Sequence, residues 1–248
     1  MTGATSDTTT AIVSDYYNTT AVRSHRASIE SYKSWSETQG RRINPRIQSH
    51  LAVPAVDLAC GTGELLYHLR HLGFTNLTGV DLSADVLSAA REFVPDANFI
   101  QQDVANFLLQ VEPASLGLVT GLNIVEHLPK QSLVAFFSLV HRALRPGGQF
   151  LIVVPNAVSP YGTIPRYWDI THEVSFSPNS VRQLSVAAAF ENEPAFFEIG
   201  PIPHGILSLI RWVAWKIIRQ QIRLRLMIES GSARSNVFTQ DMMVSIIK

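Results

Sequence analysis

Between Ala52 and Asn156, short apolar runs alternate with amphipathic stretches of about a dozen residues, and few folds accommodate that alternation. AVPAVDLAC, LTGVDLS, ANFIQQDV, LGLVTGLNIVEHL and QFLIVVPN read in turn as strands. ELLYHLRHLG and SADVLSAAREFV read as helices, the second with Ser83 at its N-cap, and LVAFFSLVHRALRPGG reads as a helix stopped by its Pro and Gly. A helix between two strands supplies the crossover that parallel pairing needs, and repeated crossovers cover a sheet on both faces. The expected fold class is therefore α/β, with a doubly wound, mostly parallel sheet.

The rest of the chain frames that unit. Residues 1–10 are rich in Thr, Ser and Gly, and the polar stretch from Tyr16 to Leu51 reads as one or two capping helices, so 1–50 is expected to be a flexible N-terminus with a helical cap on a main domain of 51–248. After Asn156, YGTIPRYWDITHEVSFSPNS has loop composition, and long loops in compact domains tend to carry function, which places a substrate loop at 157–180. Ser180 to Ala189 reads as a helix, NEPAFFEIG as a strand, 205–229 as a long basic amphipathic helix and NVFTQDMMVSIIK as a closing strand.

With 46% hydrophobic residues and 20 Lys+Arg against 20 Asp+Glu, the 248-residue chain is neither globally disordered nor a nucleic-acid binder that works by overall charge. Cys60 is the single cysteine, so an intramolecular disulfide and a multi-thiolate zinc site are both excluded. MTGATSDTTTAIVSDYY lacks the regions of a secretory signal, and no uncharged apolar stretch reaches the roughly 18 residues of a membrane span. The expected location is the cytoplasm.

The sharpest local signal is the turn VDLACGTGE, where small residues at Ala59, Gly61 and Gly63 let the backbone approach a ligand and Asp57 ends the strand beside it. A dinucleotide fingerprint fails here, because no glycine stands three residues after Gly63. Asp81 ends the second strand, where an acid can accept from both hydroxyls of a ribose, and Asp103 ends the third, in reach of an adenine amino group.

DLACGTG, GVDLS, QQDV and LRPGG, in that order over residues 50–156, resemble the motifs of class I S-adenosylmethionine-dependent methyltransferases. The resemblance implies a Rossmann-like seven-stranded sheet with an antiparallel last strand, and S-adenosylmethionine as cofactor. It also implies that Asp57, Ala59, Gly61 and Gly63 surround the methionine moiety, Asp81 with Leu82 the ribose, Asp103 with Val104 the adenine, and that Asn123 lies near the sulfonium. Ala59 departs from the commoner glycine while keeping the small-residue requirement.

Methyl transfer from a sulfonium is an in-line displacement, so a base is needed only where the acceptor loses a proton. Candidates are Glu126 and His127 in NIVEHLPK and His172 in YWDITHEVSF, all at the carboxyl edge of the sheet; imidazole titrates near neutrality. The same three residues resemble part of the Glu-x-x-Glu-His metal pattern of some quinone and RNA-end O-methyltransferases. Asn123 stands in place of the first acid, and no metal is expected on that ground.

For the acceptor, Tyr161, Arg166, Tyr167 and Trp168 in the loop, with Asp169, are types that stack on or hydrogen-bond to sugars and flat rings. The loop pattern TH-x-x-x-FSP-x-S resembles a branch associated with glycan and natural-product assembly. Segment 205–228 gathers Arg211, Lys216, Arg219 and Arg223 opposite Ile206, Leu207, Ile210, Val213, Ile217, Ile218 and Leu224, with Trp212 and Trp215 on the basic side. That pattern suits peripheral contact with anionic membrane, packing on the domain, or a homodimer. The expected activity is O-methylation of a sugar hydroxyl in a glycan or small molecule. The alternatives are a quinone-like or lipidic phenol, and a binding module without catalysis.

Overall fold

The computed structural model describes residues 27–48, 51–231 and 237–248; the frayed end expected at 1–10 and the start of the expected cap lie outside them. Helix α1 (Ile29–Trp35) opens on a capping box in which the Ser28 and Ser31 hydroxyls each accept from the other residue's backbone N–H. Short helical turns carry it on to Arg46. This segment is pinned by His68, whose two ring nitrogens meet Ser36 Oγ and Asn44 Oδ1.

The strands are β1 (Ala55–Leu58), β2 (Leu77–Asp81), β3 (Asn98–Gln101), β4 (Leu116–Leu122), β5 (Leu144–Pro155), β6 (Ala195–Glu198) and β7 (Asp241–Ile247). They form one sheet in the order β3-β2-β1-β4-β5-β7-β6, with β7 antiparallel to both its neighbours. Helices α2 (Glu64–His71), α3 (Ala84–Phe93), α4 (Val104–Gln110), α5 (Leu133–Ala143), α6 (Thr163–Trp168), α7 (Pro178–Ala187) and α8 (Ile206–Ser230) complete the chain. Tyr32, Leu66 and Leu87 bring α1, α2 and α3 onto one face of the sheet, while Leu108, Phe137 and Val181 bring α4, α5 and α7 onto the other. The doubly wound seven-stranded sheet expected from the sequence is present. Because the order runs outward from β1 to β3 and then returns to β4, the carboxyl ends of β1 and β4 flank a crevice, where open α/β sheets bind ligands.

Two elements differ from the sequence reading. α5 stops at Ala143, and RPGG continues as β5 instead of ending the helix. Pro146 disfavours helical backbone at Arg145, and Gly147 turns at φ 73° in an irregular stretch that pairs Leu116 with Leu144 but Leu118 with Gln149. The expected substrate loop is partly helical, since it holds α6 and the start of α7. Its base is closed by Ala157 N–H on the Phe176 carbonyl (2.8 Å) and Phe176 N–H on Pro155 (2.9 Å).

Candidate active site

The turn after β1 places Ala59, Gly61 and Gly63 at φ of 55°, 53° and 87°. At Gly63 a Cβ would stand 3.1 Å from the Ala90 Cβ, which leaves little room for any side chain. Ala59 therefore does more than meet a size requirement: it holds a left-handed backbone that costs an L-residue about 1 kcal/mol and glycine little. The turn is fixed from β2, because buried Asp81 accepts from the Gly61 N–H at 2.9 Å through one oxygen and from the Ser83 N–H at 3.0 Å through the other. A carboxylate has about four lone-pair sites, so these bonds leave acceptor capacity for ribose hydroxyls. Asp103 Oδ1 accepts from Ala105 and Asn106 N–H, both at 3.0 Å, as the N-cap of α4; Val104 begins that helix, buried, and Leu82 is exposed.

A cavity of about 610 Å³ opens at the crevice, within the size range of ligand and cofactor sites. Asp57, Ala59, Gly61 and Asn123 line it, together with Trp35, Arg42, Asp241 and Met243. Gly63, Asp81, Leu82, Asp103 and Val104 stand outside its lining. Asn123 turns at φ 56°, a conformation asparagine tolerates better than most, where the chain leaves β4. Asp57 is 3% exposed and accepts a 2.7 Å hydrogen bond from Thr120 Oγ1. Burial, opposed by that bond and reinforced by Asp81 and Glu64, pushes its pKa up to about 7. Burial first, then Asp57 and Asp81, also raises the Cys60 thiol, as befits a small filling residue and not a nucleophile.

Glu126 and its neighbour His127, with the sequence-distant His172, present ligand-type atoms within 4.8 Å of one another, and the two imidazoles meet edge to face at 4.6 Å. The Glu173 N–H on the Glu126 carbonyl (2.7 Å) ties the two segments. Hydrogen counting fixes the His127 tautomer. The Thr171 hydroxyl gives its one hydrogen to Asp169 Oδ1 (2.7 Å), so at 2.7 Å from His127 Nδ1 it accepts, and Nδ1 carries the proton. His172 Nδ1 donates to the Pro165 carbonyl (2.6 Å) by the same logic. In its neutral form each ring thus keeps its lone pair on Nε2. Burial, then His172, lowers the His127 pKa to about 4, with Asp169 working against them. Glu126 is buried, its Oε2 makes no hydrogen bond, and burial, with Asp241 and Asp169 adding to it, raises its pKa to about 8. Asp241, on the cavity wall, raises the Glu126 pKa and is itself raised by burial against the opposing pull of His172, so the cluster adjoins the cavity without lining it.

The aromatic candidates do not line the cavity either. Tyr161, Tyr167 and Trp168 are exposed on and beside α6, and Arg166 is a strut that donates to the His172 carbonyl and, at 3.1 Å, to that of Glu173. Sequence reading missed Thr171, Trp35, Arg42 and Asp241. Thr171 carried a detectable signal, since D-x-T is a turn in which Asp169 takes the Thr171 N–H at 2.9 Å; the others are gathered only by the fold.

On the ribose role that the resemblance implies for it, Asp81→Asn is expected to weaken S-adenosylmethionine binding at least about tenfold, because the charge-assisted acceptor that also fixes the Gly61 turn is lost. Isothermal titration calorimetry at unchanged affinity would rule out both roles.

Residues 55–148 match the family described as "Methyltransferase domain". The trans-aconitate 2-methyltransferase of Sinorhizobium medicae is 35% identical over 106 residues, 42% of this chain and 38% of that relative, so the chain spans well under half of its length. The demethylmenaquinone methyltransferase of Chlorobaculum tepidum is 26% identical over 180 residues, 65% of this chain and 71% of the relative. In fold, a SAM-dependent methyltransferase from Archaeoglobus fulgidus superposes with a TM-score of 0.63 at 19% identity, covering 88% of this chain and 99% of the other. Residues 55–148 are thus similar to a methyltransferase domain, and the described residues share the fold of an S-adenosylmethionine-dependent methyltransferase structure.

Proposed function

We propose that the protein is an O-methyltransferase that moves the methyl group of S-adenosylmethionine to a hydroxyl of a small polar acceptor, a sugar hydroxyl of a glycan being the class we favour. The observation that carries this reading is the Asp169–Thr171–His127 chain beside the cavity, which keeps the Nε2 lone pair of His127 free of a proton and able to take one. An acceptor hydroxyl must lose a proton as its oxygen bonds to the methyl carbon. The proton passes to His127 Nε2, the carbon–sulfur bond breaks, and the donor leaves as the neutral thioether. Because the leaving group is already activated, alignment supplies much of the acceleration and the base completes it.

The relatives are named for trans-aconitate, demethylmenaquinone and a malonyl-carrier protein, so they do not single out a glycan. A quinone-like or lipidic phenol is the other acceptor class whose hydroxyl this base would serve. The unpartnered Oε2 of buried Glu126 favours a second reading of the cluster. One carboxylate and two imidazoles within 4.8 Å fit a divalent first-row cation, held by Glu126, His127 and His172, which would orient and polarise the acceptor oxygen. His127 Nε2 serves only one of these purposes at a time.

The test is transfer of labelled methyl from S-adenosylmethionine into a cell extract, run with and without a chelator and split into aqueous and lipid fractions. Chelator-insensitive label on an oxygen of a water-soluble product is the expected result. Label in the lipid fraction would move the acceptor to the phenol or lipid class, and loss of label with chelator would assign the cluster to a cation. Donor binding with no label in either fraction would leave a module without catalysis.

A further inference from the structure

α8 is oriented opposite to its sequence pattern. Ser208, Trp212, Trp215, Arg219, Ile222 and Leu226, spaced by four and three, are its only buried or half-buried residues; every other position from Ile206 to Ser230 is exposed. The tryptophans therefore face the domain, where Trp215 closes on Gly200 and Arg219 pairs with Glu198 at 3.0 Å. The apolar stripe, Ile206, Ile210, Val213, Ile217, Leu224 and Ile228, points outward and is between 44% and 80% exposed. At 100° per residue, Lys216 and Arg223 flank that stripe on one side and Arg225 on the other, with Arg211 further round, beside half-buried Ile222.

We propose that this outward face docks on an anionic lipid surface. An apolar stripe with cations on both borders suits a helix lying in the headgroup plane, its aliphatic side chains in the acyl boundary and its Lys and Arg on the phosphates. A second copy of the helix fits poorly, because it would set four cations against four with Glu229 as the one acid on the helix to meet them. Crossing the bilayer is not an option, since no helix among the described residues is long and apolar enough. Arg42 and Ile199 line both the 610 Å³ cavity and a 180 Å³ cleft shared with Ser208 and Arg211, so the domain-facing side of the helix adjoins the cavity through that cleft. The docking itself does not depend on which acceptor is methylated or on His127.

The test is co-sedimentation of the full chain with phosphatidylcholine vesicles, with and without about a third phosphatidylglycerol, at low and high salt. The expected result is binding to the anionic vesicles that weakens with salt. Lys216→Glu with Arg223→Glu should lower it at least about tenfold, and so should Ile217→Asp, both at positions whose side chains leave the core untouched. Absence of binding, or equal and salt-insensitive binding to neutral vesicles, would overturn the proposal. So would a dimer in light scattering that Ile217→Asp dissociates, which would give the face to a second copy.

Discussion

Asp57→Asn should raise the melting temperature of the donor-free protein at pH 8 by about 5 °C or more while weakening S-adenosylmethionine binding about ten- to hundredfold. Asp57 is buried on the cavity wall with one hydrogen bond, from Thr120, and its pKa stands near 7 against an ordinary value of 3.8. An acid whose pKa is raised on folding takes up a proton when the chain folds. Its stabilising contribution is present in full below the unfolded value and is lost as pH rises through about 7. At pH 8 the native state therefore carries a desolvated carboxylate that costs it on the order of a few kcal/mol, and asparagine removes that cost while still accepting from Thr120. The gap between the two proteins should narrow as the pH is lowered from 8 toward 5. The donor carries positive charge, so its binding draws on the ionised form and wild-type affinity should rise with pH through about 7. Differential scanning fluorimetry and calorimetry across this range read both effects. A variant that melts with the wild type at pH 8 would mean that Asp57 is ionised at little cost.

His127→Ala should lower turnover by about a hundredfold to ten-thousandfold with donor affinity unchanged, the usual range for a lost general base. Thr171→Val removes the acceptor that holds the Nδ1 proton, and should cut kcat about tenfold with KM little altered, because the imidazole stays in place while its tautomer is released. Single-turnover rates with labelled donor measure both. Turnover within twofold of wild type for His127→Ala would dismiss it, and the same result for Thr171→Val would reduce the Asp169–Thr171 pair to loop structure.

Most of the frame was legible because it is periodic. The glycine turn, Asp57, and the alternation that leads to a switch between β1 and β4 are all local patterns, and the structure places them as read. What was not legible depends on contacts between distant segments. RPGG resembles a helix stop until the residues after it pair with the end of β7. Thr171 is an ordinary loop residue until the fold brings it to His127, 44 positions away. The helical wheel of 205–229 ranks its two faces by polarity, yet orientation was decided by fit, with Trp215 against Gly200 and Arg219 against Glu198. Arg166, read as a substrate contact, also ties two backbone carbonyls of its loop, which composition cannot reveal.

β6 and β7 are antiparallel neighbours, a pairing that a two-residue turn can join, yet the chain runs through 199–240 and the whole of α8 between them. The entropy of closing such a connection grows only with the logarithm of its length, so the sheet is nearly indifferent to what the connection contains. An excursion of that kind is open to exchange: its length, charge and greasiness can drift while the strands on either side keep their register. The crevice takes Ile199 from the start of this excursion and Asp241 and Met243 from β7, but no residue of α8 lines it, so a new docking address could be fitted on that helix without rebuilding the crevice.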